Sequence, residues 1–242
     1  MRLVGSMTFV VAALAIAGCQ RGDPPALLPF RADVLTRAFE VPALDSGFGP
    51  NYRMRVQQLG SLSLPTGKIC AVEPFAVHDL VPFTVTVPPG SYVTELAIAD
   101  SGNDPRVAFA RVKLSNEPPV YWKLAVWPHS KVDDLQPGEF VGYAVDGGLG
   151  SFMDAATVEE LEKLGENEGF YKALSDAFMT DGTVKNYAML TTERSNVAVF
   201  STGIGDGVYA SYFGFGRSGQ PVMLVTDFGM VRWEPVREHT AK

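Results

Sequence analysis

Two turns rich in glycine and aspartate, one around position 146 and one around position 206, are the parts of this sequence best suited to chemistry. Clustered carboxylate oxygens are the ligands that calcium prefers in proteins. A pair of carboxylates can instead supply the acid and the base of a hydrolytic reaction. If the chain brings the two turns together, they form one pocket for a ligand or a cation. The candidate residues of this pocket are Asp146, Asp154, Asp206, Tyr209 and Asp227.

The same turns also have a purely structural interpretation. Glycine permits positive φ angles, and aspartate accepts hydrogen bonds from neighbouring amides, as tight turns require. The stretch from Asp146 to Asp154 lacks the alternating Asp or Asn ligands and the closing glutamate of a calcium-binding loop. We therefore expect no resident cofactor and keep calcium as an option. The structural, ligand-binding and catalytic interpretations stay open, and the structural one is favoured.

Other catalytic constellations are weaker. The segment Gly203–Gly207 is similar to a phosphate-binding loop, but a predicted strand follows it where a helix is required, and Asp206 would repel phosphate. No Gly-x-Ser-x-Gly elbow is present, and His78, His129 and His239 have no nucleophile nearby in the sequence. The sequence therefore does not predict an enzyme.

The amino-terminal sequence predicts the cellular location of the protein. Arg2 precedes the apolar stretch Met7–Gly18, which has the length of the centre of a secretory signal and is too short to span a bilayer comfortably. The segment Ile16–Cys19 resembles the lipobox of bacterial lipoproteins, and an ordinary secretory signal or a buried first helix is the alternative. The Cys19 thiol would accept a diacylglyceryl group, and several acyl chains anchor a protein stably. By analogy with Gram-negative lipoproteins, Gln20 implies sorting to the outer membrane.

Predicted strands flank both turns and would fix their places in the fold. Side chains alternate with period two in Tyr92–Ile98 and Arg106–Leu114, and turn-forming residues between them predict a hairpin. Asn196–Phe200 and Val222–Val225 are apolar on both faces, which is typical of central strands covered on both sides. The segment Val208–Phe215 is predicted as one strand that turns back onto Val222–Val225.

The stretch from about 155 to 180 breaks this β pattern. Thr157 and Glu160 fit a capping box, and Gly165 stands where a helix would end. We therefore predict two short helices inserted into a mainly β (α+β) domain, which is an antiparallel β-sandwich-like fold. The predicted parts of the chain are a lipoprotein signal peptide (1–18), a lipidated N-terminus with a flexible tether (19–33) and a single domain (34–242).

The order of several short motifs resembles a bacterial family known as domain of unknown function 4241. These motifs are Gly67–Ala71, Val107–Val112, the first glycine turn, Gly205–Tyr209 and Val225–Phe228. The resemblance covers about Gly67 to Phe228 and implies a shared fold, but no reaction, cofactor or partner.

The chain departs from the pattern of that family at four positions. The family usually has glycine, a small hydroxyl residue, cysteine and an aromatic residue where this chain has Ala144, Leu149, Ser151 and Ile204. A site built from those family positions would be altered or lost here.

Charge and cysteine content limit the partners. The formal net charge of −7 argues against nucleic acid, because phosphate binding needs a basic surface. With Cys19 lipidated, Cys70 is left alone and is predicted as a small buried residue on a strand. We expect a lipid-anchored binding or interaction module of the cell envelope with the glycine turns at its functional edge. Its partners would be the membrane and a protein or a small ligand of the envelope. A carboxylate-dependent, cation-assisted hydrolase and a toxin-neutralising or partner-binding protein are the alternatives.

Overall fold

The computed structural model of the protein describes residues 32–44, 51–78, 80–102, 104–136, 138–165, 169–180 and 183–231. The predicted signal peptide, the predicted lipidation site Cys19, most of the predicted tether and His239 lie outside the described residues. Within the described ranges, no helix has both the length and the apolar character needed to cross a membrane.

The described residues form fifteen strands and three α-helices. The helices are α1 (Val34–Arg37), α2 (Val158–Gly165), which a 3-10 turn (Ala155–Thr157) precedes, and α3 (Gly169–Phe178). The strands are β1 (Ala43–Leu44), β2 (Tyr52–Leu64), β3 (Ile69–Val72), β4 (Gly90–Asp100), β5 (Arg106–Lys113), β6 (Tyr121–Leu124), β7 (Tyr143–Val145), β8 (Leu149–Asp154), β9 (Met179–Thr180), β10 (Thr183–Val184), β11 (Tyr187–Thr191), β12 (Asn196–Ser201), β13 (Gly207–Tyr209), β14 (Ser211–Phe215) and β15 (Pro221–Asp227).

Two antiparallel sheets make up the body of the domain. The large sheet has the strand order β1-β2-β4-β5-β15-β14-β6, and the small sheet has the order β11-β12-β8-β3. The pairs β7–β13 and β9–β10 form two separate ribbons. The mainly antiparallel β fold and the short helices of the predicted insertion are therefore confirmed.

The main core lies between the two sheets. Leu96, Val112 and Phe213 from the large sheet belong to the same buried cluster as Phe152 and Phe200 from the small sheet. Burying one Leu or Phe side chain stabilises a fold by about 1.5–3 kcal/mol, so the many buried side chains of this interface contribute strongly to stability.

Helices cover the outer face of each sheet. Val34 and Leu35 of α1 are fully buried in the cluster on the outer side of the large sheet. Phe170 and Leu174 of α3 belong to the cluster on the outer side of the small sheet. The central strands β12 and β15 are therefore buried on both faces, as their apolar sequences predict.

The predicted hairpin is present as β4 and β5, which pair antiparallel. The prediction of a single strand over Val208–Phe215 is wrong, because the strand is interrupted at Ala210. Residues before the break pair with β7, and residues after it pair with β15 and β6. Two different sets of neighbours therefore divide the segment.

The predicted capping box of α2 is also wrong. The side chain of Asp154 caps the preceding 3-10 turn and accepts a hydrogen bond from the Ala156 amide at 2.8 Å. The helical segment therefore begins with this 3-10 turn, at the predicted boundary near 155, and Thr157 lies inside the turn instead of capping a helix. The buried Thr157 hydroxyl has no hydrogen-bond partner among the described residues, and Glu160 faces Arg194 at 3.4 Å.

Candidate functional site

The two glycine turns contact each other. The first connects β7 to β8, the second connects β12 to β13, and Val145 pairs with Gly207 in the ribbon between them. The Thr202 amide donates to the Gly148 carbonyl at 3.1 Å, and a Cβ added to Gly148 would lie 3.7 Å from the Gly205 Cα. We call residues 144–148 and 202–208 the paired-turn edge.

A buried carboxylate that sequence reasoning missed holds the first turn in place. Glu73 is 6% exposed, and its two carboxylate oxygens accept hydrogen bonds from the Asp146 amide at 2.9 Å and the Gly147 amide at 2.6 Å. A Cβ added to Gly147 would lie 2.5 Å from the Glu73 Oε1, so glycine is needed for this close approach. Charge-assisted bonds of this type are stronger than neutral ones. A glutamate directly after the apolar strand β3 was the available sequence signal.

Tyr209 holds the second turn through its hydroxyl group. Its hydroxyl donates to the Gly205 carbonyl at 2.7 Å, and the Thr202 hydroxyl donates to the same carbonyl at 2.8 Å. Gly205 has a φ of 119°, which L side chains rarely adopt. Burial raises the pKa of Tyr209, which favours its neutral, hydrogen-bond-donating form. Tyr209 therefore positions the turn, and its hydroxyl faces the turn's own backbone.

The outward side of the paired-turn edge is both acidic and apolar. The side chains of Asp146 and Asp206 are exposed and stand on neighbouring turns. Ile204 is 79% exposed and Val208 is 54% exposed. Such a surface can contact a partner that has an apolar pocket and basic residues around it.

Asp154 does not join the other candidate residues. It lies at the opposite end of β8, roughly 16 Å from Leu149 at a strand rise of ~3.3 Å per residue. It is fully buried, and its carboxylate accepts hydrogen bonds from the Thr66 hydroxyl at 2.7 Å and the Thr66 amide at 3.0 Å. Asp154 therefore ties the β2–β3 turn to the start of the helical insertion.

Asp227 lies closer to the second turn. It ends β15 and accepts a hydrogen bond from the Gly229 amide at 2.8 Å, while the next residue, Phe228, packs behind Gly203. In the part of the chain that the structure describes, no three His, Cys, Asp or Glu side chains gather in a way that could hold a metal ion.

Two positions where the chain departs from the family pattern lie in opposite environments. Ser151 is fully buried, and its hydroxyl donates to the Val72 carbonyl at 2.7 Å. Ile204, by contrast, is the most exposed large apolar residue of the paired-turn edge. Cys70 lies on β3, the strand that pairs with Ser151 and its neighbours on β8. It is fully buried as predicted, and burial, together with the charge of Asp154, raises the pKa of its thiol to about 12.

A cleft of about 240 Å³, which sequence reasoning also missed, opens beside the paired-turn edge. Phe75 from the segment after β3 stacks on Tyr171 of α3 with ring centroids 4.7 Å apart. Phe75 also contacts the first turn, because a Cβ added to Gly147 would lie 3.5 Å from its ring. We call this the aromatic cleft; its lining residues are Pro74, Phe75, Val77, His78, Leu161, Glu162, Phe170 and Tyr171.

The comparisons with known proteins identify a family. The model of the family described as "Protein of unknown function (DUF4241)" matches residues 62–226, a range that contains the paired-turn edge, Glu73 and the aromatic cleft. No curated protein and no solved structure matches the chain significantly. The match covers more than half of the sequence, and the chain therefore belongs to the DUF4241 family of proteins of unknown function.

Proposed function

We propose that the protein is a non-catalytic binding module of the bacterial cell envelope and that it holds a protein partner at the paired-turn edge. The observation that carries the proposal is the side chain of Ile204, which is 79% exposed in the middle of a firmly supported turn. Val208 adds apolar surface on the strand that follows. Exposed apolar side chains that share one rigid surface are typical of protein interfaces.

The rigidity of the edge supports this proposal. Glu73 holds the first turn by two hydrogen bonds, and Tyr209 and Thr202 hold the second. A surface that is already ordered loses little conformational entropy when a partner binds. The paired-turn edge is therefore organised for binding before a partner arrives.

The charge of the edge indicates what kind of partner it suits. Asp146 and Asp206 are exposed, and neither forms an ion pair with another described residue. A partner with Lys or Arg around an apolar pocket would complement both features, and such charge pairs accelerate association at low salt. The lipid anchor at Cys19 would keep this edge at the membrane surface.

The contact between the turns also supports a second candidate function, a hydrolase in which Asp146 and Asp206 act as a carboxylate pair. The supporting observation is the close approach of the two turn backbones at Gly148 and Gly205. In that case Asp206→Asn would abolish turnover of a substrate and leave partner contact intact. The binding proposal instead expects Asp206→Asn to weaken contact with the partner and expects no turnover in either protein.

Site-specific photo-cross-linking tests the binding proposal. A benzophenone amino acid replaces Ile204 or Val208 in the full chain, expressed in the bacterium that makes it. The matched control is Val120, which is as exposed as Val208 but lies outside the edge. We expect one defined adduct from each of the edge positions, weakened by Asp206→Lys, and none from Val120. Equal adducts from all three positions, or none from the edge, would rule out this binding surface.

A further inference from the structure

We propose that the aromatic cleft binds a small organic cation, an ammonium group that carries apolar or aromatic substituents. This site is separate from the partner surface proposed above and does not depend on it. The inference rests on three features: the aromatic wall of the cleft, its carboxylate, and the ion pairs that nearby basic side chains form with carboxylates outside the cleft.

Three aromatic rings form one wall of the cleft. The ring centroids of Phe75 and Tyr171 are 4.7 Å apart, those of Phe75 and Phe170 are 5.9 Å apart, and those of Phe170 and Tyr171 are 6.5 Å apart. Phe170 is buried, but Phe75 and Tyr171 are 36% and 52% exposed. The face of an aromatic ring carries negative partial charge and attracts cations that approach within about 6 Å.

Core packing accounts for only part of this aromatic wall. Phe170 and Leu174 lie one helical turn apart and belong to the core under α3. Tyr171 lies off that buried stripe and is among the exposed large apolar residues. Its exposed ring, stacked on Phe75, therefore presents aromatic surface to solvent at the cleft.

Glu162 supplies the negative charge of the cleft. Its Oε1 lies 3.5 Å from Nδ1 of His78, whose side chain is 88% exposed. Three basic residues on and near the helical insertion, Lys163, Lys172 and Arg194, pair with carboxylates that do not line the cleft. Glu162 is therefore available to a cationic ligand that displaces or bypasses the exposed ring of His78.

The size of the cleft limits the ligand. Its volume of about 240 Å³ lies below the range of roughly 300–1,000 Å³ that is usual for drug-sized ligands. The site therefore suits an amine head group or a small aryl- or alkylammonium ion. A sugar could also stack on the wall, but the lining offers few neutral polar side chains to orient its hydroxyl groups.

Calorimetric titration of the full chain in a nonionic detergent tests the proposal. The probes are benzyltrimethylammonium, benzenesulfonate as an anion of similar size, and methyl glucoside as a sugar. We expect only the cation to bind. Glu162→Gln and Tyr171→Ala should each weaken its binding by about tenfold, because each removes one attraction to the positive charge.

Two control variants separate the cleft from the acidic surface in general. Tyr171→Phe keeps the ring and should keep binding. Glu159→Gln removes one negative charge from the same helix but outside the cleft, and it should have no effect. Absence of cation binding, equal binding of the sugar or the anion, or equal losses from Glu159→Gln and Glu162→Gln would each overturn the proposal. Circular dichroism of every variant confirms that the chain is folded.

Discussion

At the scale of single residues, the paired-turn edge depends on side chains that face inward. Glu73 and Tyr209 hold the two turns through hydrogen bonds to backbone atoms, and the proposed partner surface is formed by the turns themselves. A buried carboxylate that accepts two backbone hydrogen bonds gives a turn one fixed geometry. The exposed residues Ile204 and Asp206 are then presented in one arrangement.

Substitution of Glu73 by glutamine should loosen the first turn. The amide side chain of the Glu73→Gln variant would have one acceptor oxygen for two backbone amides, so one buried amide would lose its partner at a stability loss of about 1–3 kcal/mol. Urea denaturation gives the loss, and amide hydrogen exchange at Asp146 and Gly147 should accelerate. Glu139→Gln is the control, because Glu139 is exposed and accepts one hydrogen bond, from the Gln136 amide. Equal effects of the two substitutions would contradict the role assigned to Glu73.

The buried thiol of Cys70 predicts a pH dependence of stability. Burial raises its pKa from the ordinary 9.0 to about 12 in the folded chain, so the folded state keeps the proton after the unfolded state has lost it. The free energy of unfolding should therefore be independent of this group below pH 9 and fall above it by about 1.4 kcal/mol per pH unit. Measurements are confined to pH values below about 9.5, where most tyrosines of the unfolded chain, with an ordinary pKa of about 10, are still protonated.

Cys70→Ala should remove that slope, although it lowers the free energy of unfolding at pH 7 by leaving a small cavity. In the folded wild-type chain the Cys70 thiol should also resist alkylation, because the reactive form is the thiolate. A slope that persists in Cys70→Ala would show that another group causes it.

At the scale of elements, the ribbon of β7 and β13 joins the two turns into one surface. Gly142 stands just before β7 and faces the backbone of the partner strand, where a Cβ would lie 2.4 Å from the Tyr209 carbonyl oxygen. This contact involves backbone atoms, which cannot move aside as the end of a flexible side chain can. The ribbon therefore requires glycine at this position.

Gly142→Ala should separate the two strands and destabilise the fold by about 1–3 kcal/mol. Hydrogen exchange should accelerate at Val145 and Tyr209 more than in the two sheets. Gly219→Ala is the comparison, because Gly219 has a φ of 75° but open space around it. It should lower stability through backbone strain without selective loss of protection in the ribbon. Similar exchange patterns in both variants would contradict the proposed steric cause.

The sequence was sufficient for elements whose signals are local. Alternating side chains on either side of a turn predicted the β4–β5 hairpin, and uniformly apolar runs predicted the covered strands β12 and β15. The break at Ala210 was missed because it depends on which strands lie alongside, and a single segment carries no information about its neighbours.

Contacts between distant parts of the chain explain what the sequence did not predict at the site. Glu73 meets Asp146 and Phe75 meets Tyr171 only after the small sheet and the helices have assembled. Asp154 was grouped with the turn residues because it is near them in sequence, but β8 carries it to the other end of the strand.

At the scale of the whole molecule, helices cover both outer faces of the sandwich. The paired-turn edge and the aromatic cleft remain exposed at its surface. The proposed lipid anchor would hold this body at the envelope through Cys19. Replacing Cys19 with Ser should release the protein from membranes and abolish labelling by radioactive palmitate. Cys70→Ser serves as the control for thiol chemistry and should stay membrane-bound. Retention of the Cys19→Ser protein in the membrane fraction would count against the anchor.

Hydrogen–deuterium exchange shows directly whether the paired-turn edge holds a partner. The full chain is compared in membranes of its own cells and as purified protein in detergent. A partner bound at the paired-turn edge should slow exchange in peptides that cover residues 144–148 and 202–208. The loop around Val120 should exchange equally in both preparations. Unchanged exchange at both turns, or protection centred on another surface, would show that the paired-turn edge does not hold a partner.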